Sequence, residues 1–191
     1  FSLSLIENKI NAQVIGQNSA VNEIVRFKDK TYNHFKNSLP IANVFINAPL
    51  NIEFPVFTKP IRGQGSVNAQ KIDSLNEYNN FFSKHKIDEF IVMELLTDEE
   101  FTIDCFSDKS DVLYFGARTR EKTTRGISIQ STYISDESLN KEFEKYANII
   151  SKDFKLNGIW FFQMKFNKNR ELRLLEIGSR VSGTMMLNRA R

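Results

Sequence analysis

The sequence predicts an α+β protein whose strands are mostly antiparallel, and three observations lead to this fold class. Short β-branched and aromatic runs bounded by turn residues predict strands in many parts of the chain. Residues 74–86 and 137–154 instead carry apolar side chains at helical spacing. The last two apolar runs, residues 159–166 and 172–177, flank a polar turn and predict a β-hairpin. Strands joined by short turns, with helices interspersed, are typical of the α+β class.

The composition restricts the classes of function. The chain has 191 residues, of which 41% are hydrophobic and 26% charged, as in ordinary soluble globular proteins. Its net charge of +3 is small and its Lys and Arg residues are dispersed, so nucleic acid is not an expected partner. No apolar run approaches the roughly 18 residues needed to span a bilayer. A single cysteine, Cys105, excludes an intramolecular disulfide and fits a reducing cytoplasm.

The first third of the chain predicts elements of both kinds. Residues 1–27 are compatible with a strand and a helix of a preceding α/β domain. Because the chain starts at Phe1 without a methionine and stops at Arg191 just after a functional-looking segment, we expect a fragment of a longer protein. The following predicted elements are a helix over residues 28–39 bounded by Pro40, a strand over 54–59 ended by Pro60, a tight loop over 61–66 and a returning strand over 67–72.

The remainder of the chain alternates helices and strands. The helix over residues 74–86 is expected to point four side chains inward, namely Leu75, Tyr78, Phe81 and Phe82. Strands are predicted over residues 90–96, 101–106 and 112–117. The longest helix, residues 137–154, has one apolar face made by Phe143, Tyr146, Ala147 and Ile150.

The closing hairpin brings a carboxamide and a carboxylate together. If Asn169 and Arg170 centre the turn, Gln163 lies directly opposite Glu176. Directly paired side chains have Cβ atoms roughly 4.5–5.5 Å apart, so two oxygen ligands there can share a hard cation such as Mg²⁺. Arg180 follows four residues later and suits metal-bound phosphate. The alternative is a hairpin with one polar pair on its solvent face.

Two further segments suit a phosphate or a nucleotide. Lys59 stands at a strand end before a loop whose two glycines let backbone N–H groups approach an anion; the alternative is a turn that merely needs glycine. Residues 94–96 end another strand, where exposed backbone can pair with a purine edge, and a nearby carboxylate can accept ribose hydroxyls. A solvated acidic turn is the alternative there. The basic segment at Arg118, Arg120 and Arg125 can bind carboxylate or phosphate, or be a solvated loop.

The order of these motifs resembles the ATP-grasp superfamily, over about residues 28–191. The closest likeness is to the carbamoyl-phosphate-synthase-large-chain-like branch and to related amino-acid ligases such as the pyrrolysine-biosynthesis ligase. The resemblance is carried by Asp29-Lys30, the segment 54–60 with the loop RGQGS, residues 93–96 with 100–104, residues 158–163, and finally residues 176–180.

The resemblance implies an ATP held between two α+β subdomains, a lid over residues 28–92 and a metal-binding subdomain over residues 93–191. Lys30 and Lys59 would contact phosphates. The mobile loop over them would comprise Arg62, Gly63, Gln64, Gly65 and Ser66. The adenine hinge would comprise Glu94, Leu95 and Leu96, with Glu100 binding the ribose. Gln163 and Glu176 would hold Mg²⁺, and the catalytic cations would be Arg180, Arg120 and Arg125.

Two departures from the family pattern stand out. The family usually has asparagine two residues after the metal-binding glutamate, as a further ligand, whereas this chain has Gly178. Coordination of a second Mg²⁺ would therefore need Ser179 or water in place of that asparagine. The connection between Pro40 and Lys59 is also short for the family.

The resemblance implies a ligase that phosphorylates a carboxylate to an acylphosphate, which an amine then attacks. Small-molecule carboxylates and amines would be its substrates, and a homodimer is compatible with the assignment. A carbamoyl-phosphate-forming subunit, acting on bicarbonate and carbamate, is one alternative. The other is a non-catalytic nucleotide-binding module, which the glycine at position 178 favours.

Overall fold

The computed structural model describes residues 11, 16–45, 52–63, 67–124 and 127–183, without the side chain of Ile127. Within these ranges the α-helices are α1 (Ser19–Arg26), α2 (Lys28–Phe35), α3 (Leu75–Phe82) and α4 (Glu137–Phe154), with a 3-10 turn at Ile87–Glu89. The strands are β1 (Val44–Phe45), β2 (Val56–Pro60), β3 (Gln70–Ile72), β4 (Phe90–Glu94), β5 (Glu100–Asp108), β6 (Asp111–Thr119), β7 (Lys122–Thr124), β8 (Ile127–Gln130), β9 (Gly158–Phe166) and β10 (Leu172–Gly178).

The strands form two four-stranded sheets, and their pairings are antiparallel throughout. The first sheet has the order β1-β4-β2-β3 and the second the order β10-β9-β5-β6, while β7 and β8 make a separate ribbon. The predicted α+β class with mostly antiparallel sheets is therefore confirmed.

Each sheet has its own apolar core. In the first sheet, Val56, Ile72 and Val92 pack with Tyr78 and Phe81 of α3. In the second sheet, one face is buried against α4 through an aromatic and aliphatic cluster that includes Phe101, Ile103, Phe143, Ile150, Phe162 and Met164. Strands buried on one face leave the opposite face for polar side chains, because successive residues point to opposite sides.

Helix α4 has the predicted bounds, and its ends show why. Asp136 caps the N-terminus, where its side chain accepts a hydrogen bond from the Leu139 backbone N–H at 3.0 Å. The helix ends where Lys155 adopts a left-handed conformation with φ of 52°. The four predicted inward residues of this helix are all buried.

Helix α3 is shorter than predicted. Ser74 caps it by accepting from the Glu77 backbone N–H at 3.3 Å, and the helix ends at Phe82 rather than near residue 86. The prediction that Leu75 points inward is wrong, since 47% of Leu75 is exposed. Leu75 is the first residue of the helix, where a side chain has no preceding turn to pack on.

The closing hairpin pairs Gln163 with Glu176, as predicted, but the turn does not have the predicted centre. Near the turn, Leu172 pairs with Phe166 and Leu174 with Met164, so Asn169 alone lies at the middle. A bulge between Leu174 and Glu176 then shifts the register by one residue. The extra residue brings Glu176 back opposite Gln163.

The N-terminal helices pack on the second sheet rather than standing apart. Val21, Ile24 and Val25 of α1 contact the core beneath that sheet. Residues 1–10, where a strand was anticipated, lie outside the described residues. The anticipated boundary between residues 92 and 93 falls inside β4, and the change from the first sheet to the second occurs between Glu94 and Glu100. The division into subdomains stays a prediction.

None of the helices in the described ranges combines the length and the apolar character that a membrane span requires.

Candidate functional site

The polar face of the second sheet borders a cavity of about 610 Å³, whose other walls come from the first sheet and from α2. Strands β2 and β4 contribute Lys59 and Met93, while α2 contributes Lys28. Residues from β5, β6, β9 and β10 make up the opposite wall. Most of the residues proposed from the sequence meet in this cleft.

A row of four polar side chains crosses the floor of the cleft, one from each strand of the second sheet. Glu176 pairs with Gln163, Gln163 with Thr102, and Thr102 with Arg118. We call these four residues the polar row. The Gln163 amide nitrogen donates to Thr102 Oγ1 at 3.2 Å, so the amide oxygen is the atom that Gln163 offers as a ligand. The sequence predicted the Glu176–Gln163 end of this row but not its continuation.

A second row of charged side chains runs parallel to the polar row, on the side nearer to residues 94–96. Glu100 pairs with Lys165 in the register, and its carboxylate also binds Arg120, with 2.6 Å between Arg120 Nε and Glu100 Oε1. The second oxygen of Glu100 lies 3.7 Å from Lys165 Nζ. Glu100 therefore lies at the cleft, as proposed, in contact with two cations.

Lys59 is buried at the junction of the two sheets. Its Nζ donates to Tyr32 Oη at 2.7 Å and to the Leu175 carbonyl at 3.3 Å, and Tyr32 donates to the same carbonyl at 2.9 Å. Leu175 is the bulged residue of the hairpin, so the bulge turns this carbonyl toward the first sheet. Burial lowers the pKa of Lys59 to about 8, although the charges of Glu176 and Glu100 oppose the shift.

Of the two lysines near the start of α2, Lys28 and not the predicted Lys30 borders the cleft. Lys30 lies outside the cleft, where its Nζ contacts Glu23 at 2.5 Å. Lys28 instead lines the cleft, and its Nζ lies 3.3 Å from the Gly63 carbonyl. The pKa of Lys28 is lowered by burial and then by the charge of Lys59, while Glu176 opposes the shift. Two positions along a helix turn a side chain by about 200°, which separates these lysines onto different faces.

At the end of β4, the backbone N–H and the carboxylate of Glu94 already have hydrogen-bond partners within the protein. The Glu94 N–H donates to the Asn43 carbonyl at 2.9 Å, and its carboxylate accepts from the Asn43 N–H and from Arg173. Glu94 and Leu96 line the cleft, whereas Leu95 is absent from its walls. Of the proposed hinge residues, two thus border the cavity.

Two of the proposed segments fall partly outside the described residues. Gly63 lines the cleft with a φ of 152°, a conformation that favours glycine, and Arg62 beside it is exposed. Gln64, Gly65 and Ser66 of the proposed loop, and the proposed catalytic cation Arg125, belong to the ranges that the structure leaves undescribed.

The end of β10 carries Gly178 and Arg180 against an aromatic ring. Gly178 pairs with Phe161, and a Cβ added to Gly178 would lie 2.2 Å from Phe161 Cε1. The Arg180 guanidinium carbon lies 5.3 Å from the centroid of the same ring, and Arg180 lines the cleft. Because Gly178 has no side chain, the Phe161 ring can lie against the backbone of β10 and line the cleft.

Sequence reasoning missed a buried network at the far end of the cleft. Arg118 Nε and Nη2 each lie 3.2 Å from Asp104 Oδ2, and Nη2 also donates to Ser182 Oγ at 3.0 Å. Ser182 in turn hydrogen-bonds to Asp104 Oδ1. Asp104 and Arg118 lie in two consecutive segments of the sequence, but the sequence does not show that both side chains are buried.

Glu176 and Gln163 of the polar row fit one hard divalent cation. No group of three or more His, Cys, Asp or Glu side chains able to hold a metal occurs in the described ranges. The Glu176 carboxylate and the Gln163 amide oxygen are nevertheless paired on one face, and oxygen ligands of this kind suit Mg²⁺ when water and phosphate complete its shell. Lys28 and Lys59 nearby suit the phosphates that such an ion accompanies.

Comparison with solved structures shows the same fold. Biotin carboxylase from Campylobacter jejuni, in a complex described as β-γ-ATP, superimposes with a TM-score of 0.83 at 14% identity, over 99% of this chain and 48% of that one. L-amino acid ligase from Bacillus licheniformis gives 0.70 at 16% identity, over 96% and 47% of the two chains. D-alanine–D-alanine ligase from Bacillus anthracis, complexed with ATP, gives 0.72 at 13% identity, over 96% and 65%.

The chain thus spans about half the length of the first two of these structures and 65% of the third. No curated protein sequence matches it significantly. A family model described as ATP-grasp in the biosynthetic pathway with Ter operon matches residues 86–190, more than half of the 191 residues. The chain belongs to this ATP-grasp family.

Proposed function

We propose that this chain is the nucleotide-binding part of an ATP-dependent ligase that activates a carboxylate as an acylphosphate for attack by an amine. One observation supports this most directly. Lysines from α2 and β2 and the Glu176–Gln163 pair of the hairpin face one cleft of about 610 Å³ between two sheets. Cations beside a carboxylate–carboxamide pair suit a metal-bound polyphosphate.

The nucleotide is proposed to lie with its base at the end of β4 and its phosphates over the hairpin. Met93 and Leu96 provide apolar surface for a base, and Glu100 at the start of β5 is suitably placed for ribose hydroxyls. The negative charge of Glu100 is balanced by Arg120 and Lys165, so hydroxyl groups can approach it without an unpaired carboxylate facing the phosphates.

Lys28 and Lys59 are proposed to bind phosphate oxygens. Two of the three Nζ–H donors of Lys59 are used by Tyr32 and Leu175, which holds the ammonium group in place and leaves one donor for a ligand. Glu176 and Gln163 would hold Mg²⁺, which supplies positive charge to the phosphate oxygens when it is bound. Arg180, placed over Phe161, neutralises the group that is transferred.

The proposed reaction has two steps. A carboxylate oxygen attacks the γ-phosphorus of ATP, the bond to the β-phosphate oxygen breaks, and ADP leaves. The amine then attacks the acyl carbon, phosphate departs with the carbon–oxygen bond electrons, and the amine loses a proton. The chain's part is to position the groups and to neutralise charge, which needs no side-chain nucleophile. Cys105 is consistent with this, because it is fully buried beneath the sheet and burial raises its pKa.

A non-catalytic nucleotide-binding module is the second candidate, and the Phe161–Gly178 contact favours it. The ring occupies the place that a side chain at position 178 would need, so that position supplies no metal ligand. A carbamoyl-phosphate-forming activity would use the same phosphate site with bicarbonate as the acceptor.

Mg²⁺-dependent ADP release, measured with a panel of amino acids and separately with bicarbonate, separates these functions. The ligase proposal expects release that requires an organic acid, with acid-dependent hydroxamate formation when hydroxylamine replaces the amine. Release with bicarbonate alone would favour the carbamoyl-phosphate alternative. Nucleotide binding without release under any condition would favour the non-catalytic module.

A further inference from the structure

Arg118 lies at the opposite end of the polar row from Glu176. Three strand spacings of about 4.8 Å separate the two residues, so their Cα atoms are about 14 Å apart. Asp104, to which Arg118 turns, lies four residues beyond Glu100 on β5, which corresponds to about 13 Å along the strand. The guanidinium end of Arg118, beside Asp104, is therefore separate from the proposed ribose ligand Glu100 and from the proposed metal pair.

The guanidinium group in this corner is buried and incompletely hydrogen-bonded. The exposed fraction of both Arg118 and Asp104 is 0%, and Ser182 is also buried. Arg118 Nε and Nη2 have Asp104 and Ser182 as partners, whereas Nη1 has no hydrogen-bond partner among the described residues. A buried N–H without an acceptor is unfavourable, and such groups in native proteins call for a specific explanation.

The same guanidinium group borders the cleft. Arg118, Ser182 and Gly183 all line the cavity that holds Lys59 and Glu176. Because Arg118 borders the cavity although its side chain is covered, a group that enters the cleft can supply the missing acceptor once the atoms over Nη1 shift slightly. Asp104 already balances the charge of Arg118, which lets the pair remain buried before that group arrives.

We propose that Arg118, held in place by Asp104 and Ser182, forms a subsite for a substrate carboxylate other than the one that is phosphorylated. The inference rests on the proposed function, since it assigns the far end of the same cleft to the second substrate group. Arg118 Nη1 carries N–H groups that can donate to a carboxylate oxygen, while Ser182, whose hydroxyl proton is used by Asp104, accepts from Nη2 and fixes the guanidinium group. The carboxylate belongs either to a dicarboxylic acid or to an amino acid that supplies the amine.

Calorimetric titration of the full chain tests the subsite without requiring turnover. The chain is saturated with Mg²⁺ and a non-hydrolysable ATP analogue, then titrated with succinate and glutarate, with glycine, L-alanine and L-glutamate, and with acetate as the monocarboxylate reference. We expect one of the first two groups to bind at least tenfold more tightly than acetate. Preference for the dicarboxylates or for the amino acids identifies the source of the carboxylate.

Arg118→Lys retains the positive charge opposite Asp104 but removes Nη1. It should weaken binding of the preferred acid at least tenfold while changing the affinity for the nucleotide less than twofold. Arg170→Lys is the matched control, because Arg170 is exposed and pairs with Asp98 and Glu99 outside this cleft. Equal acid affinity in Arg118→Lys and wild type, or no probe better than acetate, would overturn the proposal and leave Arg118 as an anchor for Ser182.

A second variant covers the case in which Arg118→Lys does not fold, as judged by circular dichroism. Gly183 lines the same corner, and a Cβ added there meets no described atom within 4 Å, so Gly183→Val adds bulk to the subsite without disturbing the buried pair. It should weaken acid binding at least tenfold, and unchanged acid binding would overturn the proposal. If wild type fails to bind the nucleotide, the proposed function is wrong, and the same titrations on the nucleotide-free chain still decide the subsite.

Discussion

Phe161 covers Gly178 across the closing hairpin so closely that no side chain can be added at position 178 without moving the ring. The built Cβ would lie 2.2 to 2.8 Å from three atoms of that ring. The same ring carries Arg180 on its face. Glycine at position 178 therefore leaves room for the Phe161 ring, which lines the cleft together with Arg180.

Gly178→Asn should destabilise the protein rather than simply supply a metal ligand. We expect the free energy of unfolding to fall by roughly 1–3 kcal/mol, because overpacking forces the ring or the strand to shift. Urea denaturation measures this change. Gly183→Asn is the control, since the space around Gly183 is open among the described atoms. Adding Phe161→Ala to Gly178→Asn should recover part of the loss, and a double variant no more stable than the additive sum would contradict the steric explanation.

Glu176→Ala should abolish Mg²⁺-dependent ADP release and leave the fold intact, because Glu176 is only half-buried on the cleft face. Gln163→Ala should weaken the Mg²⁺ dependence less, since a neutral carboxamide contributes less electrostatic attraction than a carboxylate. The measurement is the Mg²⁺ concentration at half-maximal release, with circular dichroism as the folding control. Full activity in both variants would contradict the assignment of Glu176 and Gln163 as metal ligands.

Lys28→Ala and Lys30→Ala form a matched pair. Lys28 lines the cleft, whereas Lys30 contacts Glu23 outside it. We expect Lys28→Ala to weaken nucleotide affinity by about tenfold, the effect of losing one charge-assisted hydrogen bond to a phosphate. Lys30→Ala should change this affinity less than twofold. Calorimetric titration with the ATP analogue decides, and a larger effect of Lys30→Ala would restore the original assignment.

Because the pKa of Lys59 is lowered, the free energy of unfolding should depend on pH in the alkaline range. The folded chain releases this proton near pH 8, whereas the unfolded chain retains it up to its ordinary pKa of 10.5. The unfolded state therefore binds more protons between about pH 8 and 10.5. The free energy of unfolding should rise with pH in that window, by roughly 3 kcal/mol in all.

Comparison with Lys59→Met isolates this contribution, since methionine does not titrate. The stability difference between wild type and Lys59→Met should move in favour of wild type from pH 8 to pH 10.5 and stay constant below pH 7. Urea denaturation at several pH values measures it. A difference that is independent of pH across the window would show that Lys59 titrates normally.

Much of the fold followed from local patterns. Helix α4 was predictable because its apolar face, its capping Asp136 and its length agree with one another. The closing hairpin was predictable because two apolar runs flank a polar turn. The burial of Leu75 was wrongly predicted, because helical spacing alone does not show which turn of a helix extends past the core that it packs on.

The site was less predictable, because its geometry depends on contacts between distant segments. The Gln163–Glu176 pairing depends on the bulge at Leu175, and no turn residue reveals that extra position. Choosing between Lys28 and Lys30 requires knowing which side of α2 faces the cleft. Arg118 was visible as a cation, but its burial beside Asp104 appears only when β5 and β6 are paired.

The polar row also has a consequence for folding kinetics. Its four residues come from four strands, and β9 reaches β5 only after the whole of α4 has been laid down between them. Contacts between segments so far apart in the chain form slowly, because each requires closure of a long loop. The proposed nucleotide site draws on all four of these strands, so a nucleotide bound there would stabilise the completed sheet by mass action. Protection from proteolysis by added nucleotide would therefore report assembly of all four strands, rather than local ordering of one hairpin.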